Sequence, residues 1–295
     1  MPRIIADLGG LNYFSWVFTV YMLASTVTSV LVGKLSDIYG RKPFILIGIV
    51  VFIIGTFLCG LAADIIQLIV FRGIQGLGAG VILSTAFTVV GDLFVPRERG
   101  KWQGIMSAVF GLSSVFGPTL GGYIVDHADW HWIFWVFLPL GVVALAMIWT
   151  MFPSAVRREG EKVDYFGSVF LTATIIPLLL AFSWAGGKFA WQSAPIVALF
   201  AAALIAFILF IITEHRASNP ALPLGLFKNS IFTVSNVIGF MMGAGMFGAI
   251  MYAPFFIQGV AGTSATLSGY VMMPLTLSLV LASAVIGNLI TKTGK

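Results

Sequence analysis

Charge is scarce in this 295-residue sequence: Asp, Glu, Lys and Arg together make up 9% of it, against about 25% in an ordinary soluble domain. With 59% hydrophobic residues, the chain cannot cover itself with a polar surface in water. Cysteine is nearly absent, Cys59 being the only one, which excludes a disulfide framework. It lies in an apolar block and reads as a small apolar filler. The histidines His127, His131 and His215 lack metal-ligand spacing. No glycine loop follows a strand to hold phosphate, and neither a nucleophile elbow nor a metalloprotease helix is present. Nucleotide-driven pumping and metal-assisted hydrolysis therefore find no support, and a membrane enzyme lacks its catalytic constellation.

What the sequence has instead is long uncharged apolar runs. A span of the hydrocarbon core needs about 20 residues, and nine blocks reach that order: Tyr13 to Gly33, Pro43 to Ala63, Ile65 to Gly91, Trp102 to Val125, Trp132 to Met151, Tyr165 to Gly186, Trp191 to Thr213, Ser230 to Ile257 and Leu267 to Ile290. The last two are separated at Gln258 to Ser268, a stretch rich in Gly, Ser and Thr. The fold class expected is an all-α polytopic membrane bundle.

A net charge of +5 and a pI near 9.4 could suggest nucleic acid, but the cations sit in small clusters between apolar blocks, without interleaved aromatics. Thirteen of the sixteen basic residues fall on one side: Lys34, Arg41, Lys42, Arg97, Arg99, Lys101, Arg157, Arg158, Lys162, Arg216, Lys228, Lys292 and Lys295. Only Arg3 and Lys188 fall on the other, and Arg72 lies within a span. The positive-inside rule puts the basic side in the cytoplasm of a cell whose plasma or inner membrane holds the chain. Residues Met1 to Asn12 contain no apolar run of signal-peptide length. An extracytoplasmic start and a stop directly after a span suggest that one helix precedes Met1 and several follow Lys295.

Four constellations carry chemistry. Gly33, Asp37, Gly40, Arg41 and Lys42 put a carboxylate, a turn glycine and two cations into what reads as one short loop, where Asp37 could pair with Arg41 as a latch. Ordinary positive-inside decoration is the plainer alternative. Arg72 is the sole charge well inside a span, which costs about 2.5–3.5 kcal/mol on insertion scales and marks a functional candidate. Gln75, Gly76, Ala79 and Gly80 continue its face at helical spacing, although Arg72 could also snorkel to the interface. Gly111, Ser114, Gly117, Pro118, Gly121 and Gly122 share a face that would let two helix backbones touch, with Pro118 bending the helix; generic packing explains this too. Met241, Met242, Met246 and Met251 with Phe240 and Phe247 could line a tolerant apolar pocket or face lipid. Asp92 and Asp126 lie at span ends, so no visible span buries a carboxylate deeply.

The end of the first span, Gly33-Lys-Leu35-Ser-Asp37-Ile-Tyr-Gly40-Arg41, is echoed 254 residues later by Gly287-Asn-Leu289-Ile-Thr291-Lys-Thr-Gly294-Lys295. Shared loop chemistry could produce such a match, but parallel halves would as well.

These residues resemble the major facilitator superfamily. Gly33 to Lys42 is similar to its G-x-L-x-D-x-x-G-R-K/R signature, and Arg72-Gly-Ile-Gln75-Gly76 to its R-x-x-Q-G motif, which the resemblance associates with proton transfer. Gly111 with Gly117-Pro118-Thr-Leu-Gly121-Gly122 resembles the signature G-x-x-x-x-x-G-P-x-x-G-G of exporters. Trp130-His131-Trp132-Ile-Phe134, with Leu138-Pro139-Leu-Gly141, looks like a segment of the fourteen-span drug/proton antiporter branch, with His131 and Phe137 replacing the usual Arg and Asn. Asp164-Tyr-Phe-Gly167 is similar to that branch's D-x-x-G. The resemblance implies a major facilitator fold, about nine of fourteen spans visible. Residues 1–153 would form an N-terminal half lacking its first helix, 154–215 two extra central spans with a linker, and 216–295 the start of a C-terminal half. It implies proton-coupled efflux of amphipathic small molecules by alternating access, with small-molecule substrates, protons and lipid as partners, no nucleic acid and a monomer by default. No cofactor is implied beyond a proton gradient as energy source. Asp92 would join the cytoplasmic latch, and the coupling carboxylate would stand on the missing first helix. Uptake or exchange of a metabolite, or a fragment that transports nothing, are the alternatives.

Overall fold

The structure is a computed structural model, describing residues 4, 7–10, 13–153, 165–217, 220 and 222–293. The apolar blocks become helices because, in lipid, every backbone N–H and C=O must find its partner within the segment. In chain order these are α1 (Phe14–Tyr39), α2 (Arg41–Cys59), α3 (Ile65–Leu93), α4 (Pro96–His127), the single turn α5 (Trp132–Trp135), α6 (Leu138–Met151), α7 (Tyr165–Trp184), α8 (Ala194–Arg216), α9 (Ser230–Gly259) and α10 (Ala265–Thr293). Among the described residues eight segments are long and apolar enough to cross a membrane, and α10 adds a further helix of 29 residues.

Three boundaries depart from the sequence reading in an informative way. Gly33 to Tyr39 is helical and belongs to α1, not to a loop. Ser36 returns its hydroxyl to the Gly33 carbonyl at 3.0 Å, and Arg41 pairs with Asp37 one turn back, so side chains carry the helix past its apolar stretch. The chain reverses at Gly40 alone, whose φ of 94° a side chain would disfavour, and α2 starts at the next residue. Helix α4 begins six residues earlier than expected, at Pro96, since proline's missing N–H costs nothing at a first helical position. The expected fifth span is interrupted at Val136 and Phe137, because Pro139 has no N–H to return to the Trp135 carbonyl and is tolerated only in the first turn of a new helix, α6.

The helices are sorted by what surrounds them. On α2 the buried positions are Arg41 at its start, then Ile45, Gly48, Ile49, Gly55, Thr56 and Cys59. Ile47, Val50, Ile54 and Phe57 are 40–58% exposed at three- and four-residue spacing, an apolar stripe suited to lipid and not to water. This is a multi-pass membrane protein.

The helices form two compact units. One comprises Met1–Thr88 and Phe134–Gly225; in it α7 packs on α8, α1 on α7 and α2 on α6, around buried Val17, Leu68, Ala181, Ile196 and Phe210. The other comprises Val89–Ile133 and Leu226–Lys295, where α4 and α10 make the most extensive helix pair and α9 adds to α10.

Candidate functional site

The site grows from three helices in the first unit brought unusually close. An added Cβ at Gly76 would stand 2.5 Å from the Tyr21 carbonyl oxygen, and one at Gly80 would collide with the backbone of Ser25. The small-residue face of α3 thus lies directly on α1. On its other side, a Cβ at Gly55 of α2 would lie 2.5 Å from the Gln75 backbone nitrogen. Close approach through glycine is how membrane helices associate without a hydrophobic drive between them.

Arg72 lies in the second turn of α3 and turns inward. Its Nη1 donates to Gln75 Oε1 at 2.6 Å, its Nε to the Val17 carbonyl at 3.4 Å, and its guanidinium stands 4.2 Å from the Tyr21 ring centroid. Gln75, 5% exposed, donates from Nε2 to Thr56 Oγ1 at 2.8 Å, and Thr56 passes its own proton to the Phe52 carbonyl at 2.6 Å. The order of donors fixes the amide: turned over, Gln75 would present its NH2 to the guanidinium. The thiol of Cys59 lies 4.0 Å from the same Gln75 oxygen, so a residue read as an apolar filler borders the polar node. Among the described residues no Asp or Glu is paired with Arg72. The burden of its charge falls on neutral acceptors worth about 1.5–3 kcal/mol for a charged partner and on a ring worth up to about 2 kcal/mol when desolvated.

At the Lys/Arg-rich end of the same unit, Arg41 is 7% exposed. Besides pairing with Asp37, it donates to Ser36 Oγ at 2.5 Å and to the Gly33 carbonyl at 3.3 Å. Gly33, Ser36, Asp37 and Arg41 are therefore one cluster, and Gly40 is the turn residue that brings Arg41 back onto it. Lys42 points away from it and donates to the Phe152 carbonyl at 2.7 Å, beyond the end of α6.

In the second unit, Asp92 occupies the last turn of α3. Arg99, not singled out by sequence, caps that helix end, donating from Nη2 to the Gly91 carbonyl at 2.7 Å and from Nε to Phe94 at 3.0 Å. A cation on orphan C-terminal carbonyls is favourable twice over, by hydrogen bonding and by the helix dipole.

The glycines of α4 divide. Gly111 and Gly122 are buried, whereas an added Cβ at Gly117 or Gly121 meets nothing within 4 Å. No helix backbone among the described residues closes on those two. The side chain of Pro118 lies outside the described residues.

At the far end of α4, Asp126 Oδ2 accepts from the backbone N of Thr266 at 3.0 Å and from its hydroxyl at 2.5 Å. Beyond it, His131 Nδ1 lies 2.7 Å from Asp129 Oδ1, and that hydrogen bond holds the exposed Asp129 carboxyl below the usual carboxylate range. The described residues contain no cluster of three metal-ligating groups. On α9, Phe240, Met241 and Met242 are 78%, 69% and 64% exposed, so their apolar surface faces outward from this unit.

Among known proteins, the chain is 43% identical over 294 residues to a multidrug transporter protein of Bacillus subtilis, MdtP, covering 54% of that protein. It is 40% identical over 292 residues to multidrug resistance protein 3 of the same organism, covering 57% of it. A rubrofusarin-specific efflux pump of Gibberella zeae is 33% identical over 302 aligned residues and covered to 56%. The chain spans about half the length of the curated relatives it matches. Residues 1–168, more than half of the sequence, match the Major Facilitator Superfamily, and with its helical bundle and the motifs at Gly33 and Arg72 the chain belongs to that superfamily.

Proposed function

We propose that this chain carries the N-terminal and central part of a proton-coupled exporter of drugs or similar amphipathic compounds, working by alternating access in a cell membrane with its Lys/Arg-rich ends in the cytoplasm. The observation that carries the reading is the buried Arg72–Gln75 node. A guanidinium with five N–H donors is held two turns inside an apolar helix, and Val17 and Gln75 take two of them. A fixed cation at such depth is costly, which makes Arg72 a functional candidate. It raises the proton affinity of nothing, but it lowers the energy of any carboxylate or substrate acceptor that approaches. That approach makes the charge balance around Arg72 depend on what is bound.

In this reading residues 1–153 act as the first half of the transporter, 154–215 as an inserted central pair with its linker, and 216–295 as the beginning of the second half. Asp37 and Arg41 latch the cytoplasmic side, and Asp92 serves at the end of its own unit. Gly111, Gly117, Pro118, Gly121 and Gly122 form the face along which helices rock. The proton gradient is the energy source, with no cofactor, and the working unit is a monomer exchanging a small molecule for protons, without nucleic acid. The names of the relatives support efflux as the direction.

The test uses vesicles containing the chain completed by the parts of its relatives that it does not span. An imposed pH gradient should move ethidium in the parent and not in Arg72→Ala, with both proteins folded by circular dichroism. Normal ethidium movement in Arg72→Ala would sink the assignment. Uptake driven by an inward proton gradient would reverse the direction.

A further inference from the structure

Asp126 stands at the last turn of α4, at the end of that helix opposite Arg97 and Arg99, and its carboxylate reaches across to another helix separated from it by 140 residues of sequence. Its Oδ2 takes both donors of Thr266, backbone N and hydroxyl. Helix α10 starts at Ala265, so Thr266 N is one of the orphan donors of its first turn. The next donor, Leu267 N, is taken by the chain's own Ser264 hydroxyl at 3.1 Å. Helix α10 thus begins with a split cap: Ser264 supplies one acceptor locally, and α4 supplies the other, with a full negative charge at the positive end of the dipole. From Asn229 to Thr291 the sequence carries no charge; Asp126 is therefore the charge that α10's first turn meets.

We infer that Asp126 is a positioning residue that closes this end of the α4/α10 junction by capping α10 in trans. The inference rests on the transporter reading, in which α4 and α10 belong to different halves. The halves cannot separate at this end without leaving Thr266 N uncapped and the carboxylate unbonded, so the contact sets how often the junction opens. The geometry suits a gate, because two hydrogen bonds on one carboxylate oxygen break together.

The experiment reads opening directly and needs no drug. Thr119 lies seven residues before Asp126, two turns deeper on the same face of α4 and about 10 Å along it. A Thr119→Cys reporter, in the whole chain with Cys59→Ser and reconstituted in lipid vesicles, is labelled by a membrane-impermeant maleimide from the Asp126 side. Asp126→Ala should speed labelling about fivefold, the factor expected from loss of one helix cap. Asp126→Asn, whose carbonyl accepts both bonds, should stay within about twofold of the parent. A parent-like rate in Asp126→Ala, or an Asn variant as fast as Ala, overturns the inference. Where Asp126→Ala does not fold, an Asp126→Cys/Thr266→Cys disulfide, closed before labelling, should slow labelling of the reporter relative to the parent; a rate indifferent to that lock also overturns it. Ethidium binding is measured on the same samples by fluorescence: a chain that does not bind it counts against the efflux reading and leaves the gate to be judged by the labelling rates.

Discussion

Arg72 and Tyr21 face each other across the α1/α3 contact with the guanidinium carbon 4.2 Å from the ring centroid, and the contact exists because Gly76 brings α3 onto the Tyr21 backbone. One helix thus supplies the charge and the other its face. Replacing Tyr21 by Phe should keep most of the interaction, while Tyr21→Leu should lose about 1–2 kcal/mol. Thermal unfolding of the detergent-solubilised chain checks this, and equal melting of the Phe and Leu variants would show that the ring contributes only its bulk.

The glycine contact itself is a separate prediction. Gly80→Leu must push into the Ser25 backbone, and overpacking of this kind costs about 1–3 kcal/mol. Gly104→Leu, on α4 with nothing within 4 Å of its added Cβ, is the control and should melt with the parent.

For the amide relay, Thr56→Val removes the acceptor of Gln75 Nε2 and leaves a buried donor unsatisfied, a loss of about 1–3 kcal/mol. Gln75→Leu exposes the guanidinium to an apolar neighbour and should cost more. Introduced together, the two changes should cost less than the sum of the single ones, because the relay is already broken after the first. Strict additivity in the double-mutant cycle would mean that the two residues do not act through their hydrogen bond.

Legibility differed by residue. Arg72 and Gln75 could be found from sequence because a charge inside an apolar run violates the local rule, and the glycines of α3 followed at helical spacing. Tyr21, Thr56 and Cys59 could not: a lone hydroxyl or thiol in an apolar helix is ordinary, and what gives each its meaning is a partner 16 to 51 positions away. The spacing of Thr56 and Cys59 on the buried face of α2, beside Gly55, was the available signal. The helical course of Gly33 to Tyr39 was missed because apolarity ends there, whereas the helix is continued by Ser36 and by Asp37 with Arg41. Arg99 reads as loop charge in the sequence, since nothing in its surroundings announces that the carbonyls of Gly91 and Phe94 come within its reach.

At the basic end, Arg41→Lys should fail to replace the parent although it keeps the charge. A guanidinium reaches Asp37, Ser36 and Gly33 together from a planar fork, and an ammonium cannot match that set. The loss should fall near 1–3 kcal/mol, since hydrogen bonds to a charged group are involved. Melting curves of Arg41→Lys, Asp37→Asn and the double variant provide the check.

The pair Asp129–His131 gives a pH prediction with a defined sign. The carboxyl is held below its ordinary value, so whatever it contributes is present above the unfolded carboxylate pKa of about 3.9 and is lost as pH falls through the lower folded value. His131→Ala should move the Asp129 titration upward, as seen by carboxyl carbon resonances, without altering melting at neutral pH, because the group is fully exposed. A downward movement would contradict the assigned cause.

Gly40 has one more consequence. With a single residue between α1 and α2, the reversal has only one pair of soft torsions, so it works as a knuckle and not as a tether. Slack between these two rods is absent, and any tilt of α1 at this end must be handed on to α2 almost undiminished, while Lys42, gripping the carbonyl of Phe152, relays the same displacement to the end of α6. Lengthening the knuckle by two or three flexible residues would uncouple the rods while leaving every intramembrane contact of Arg72 in place.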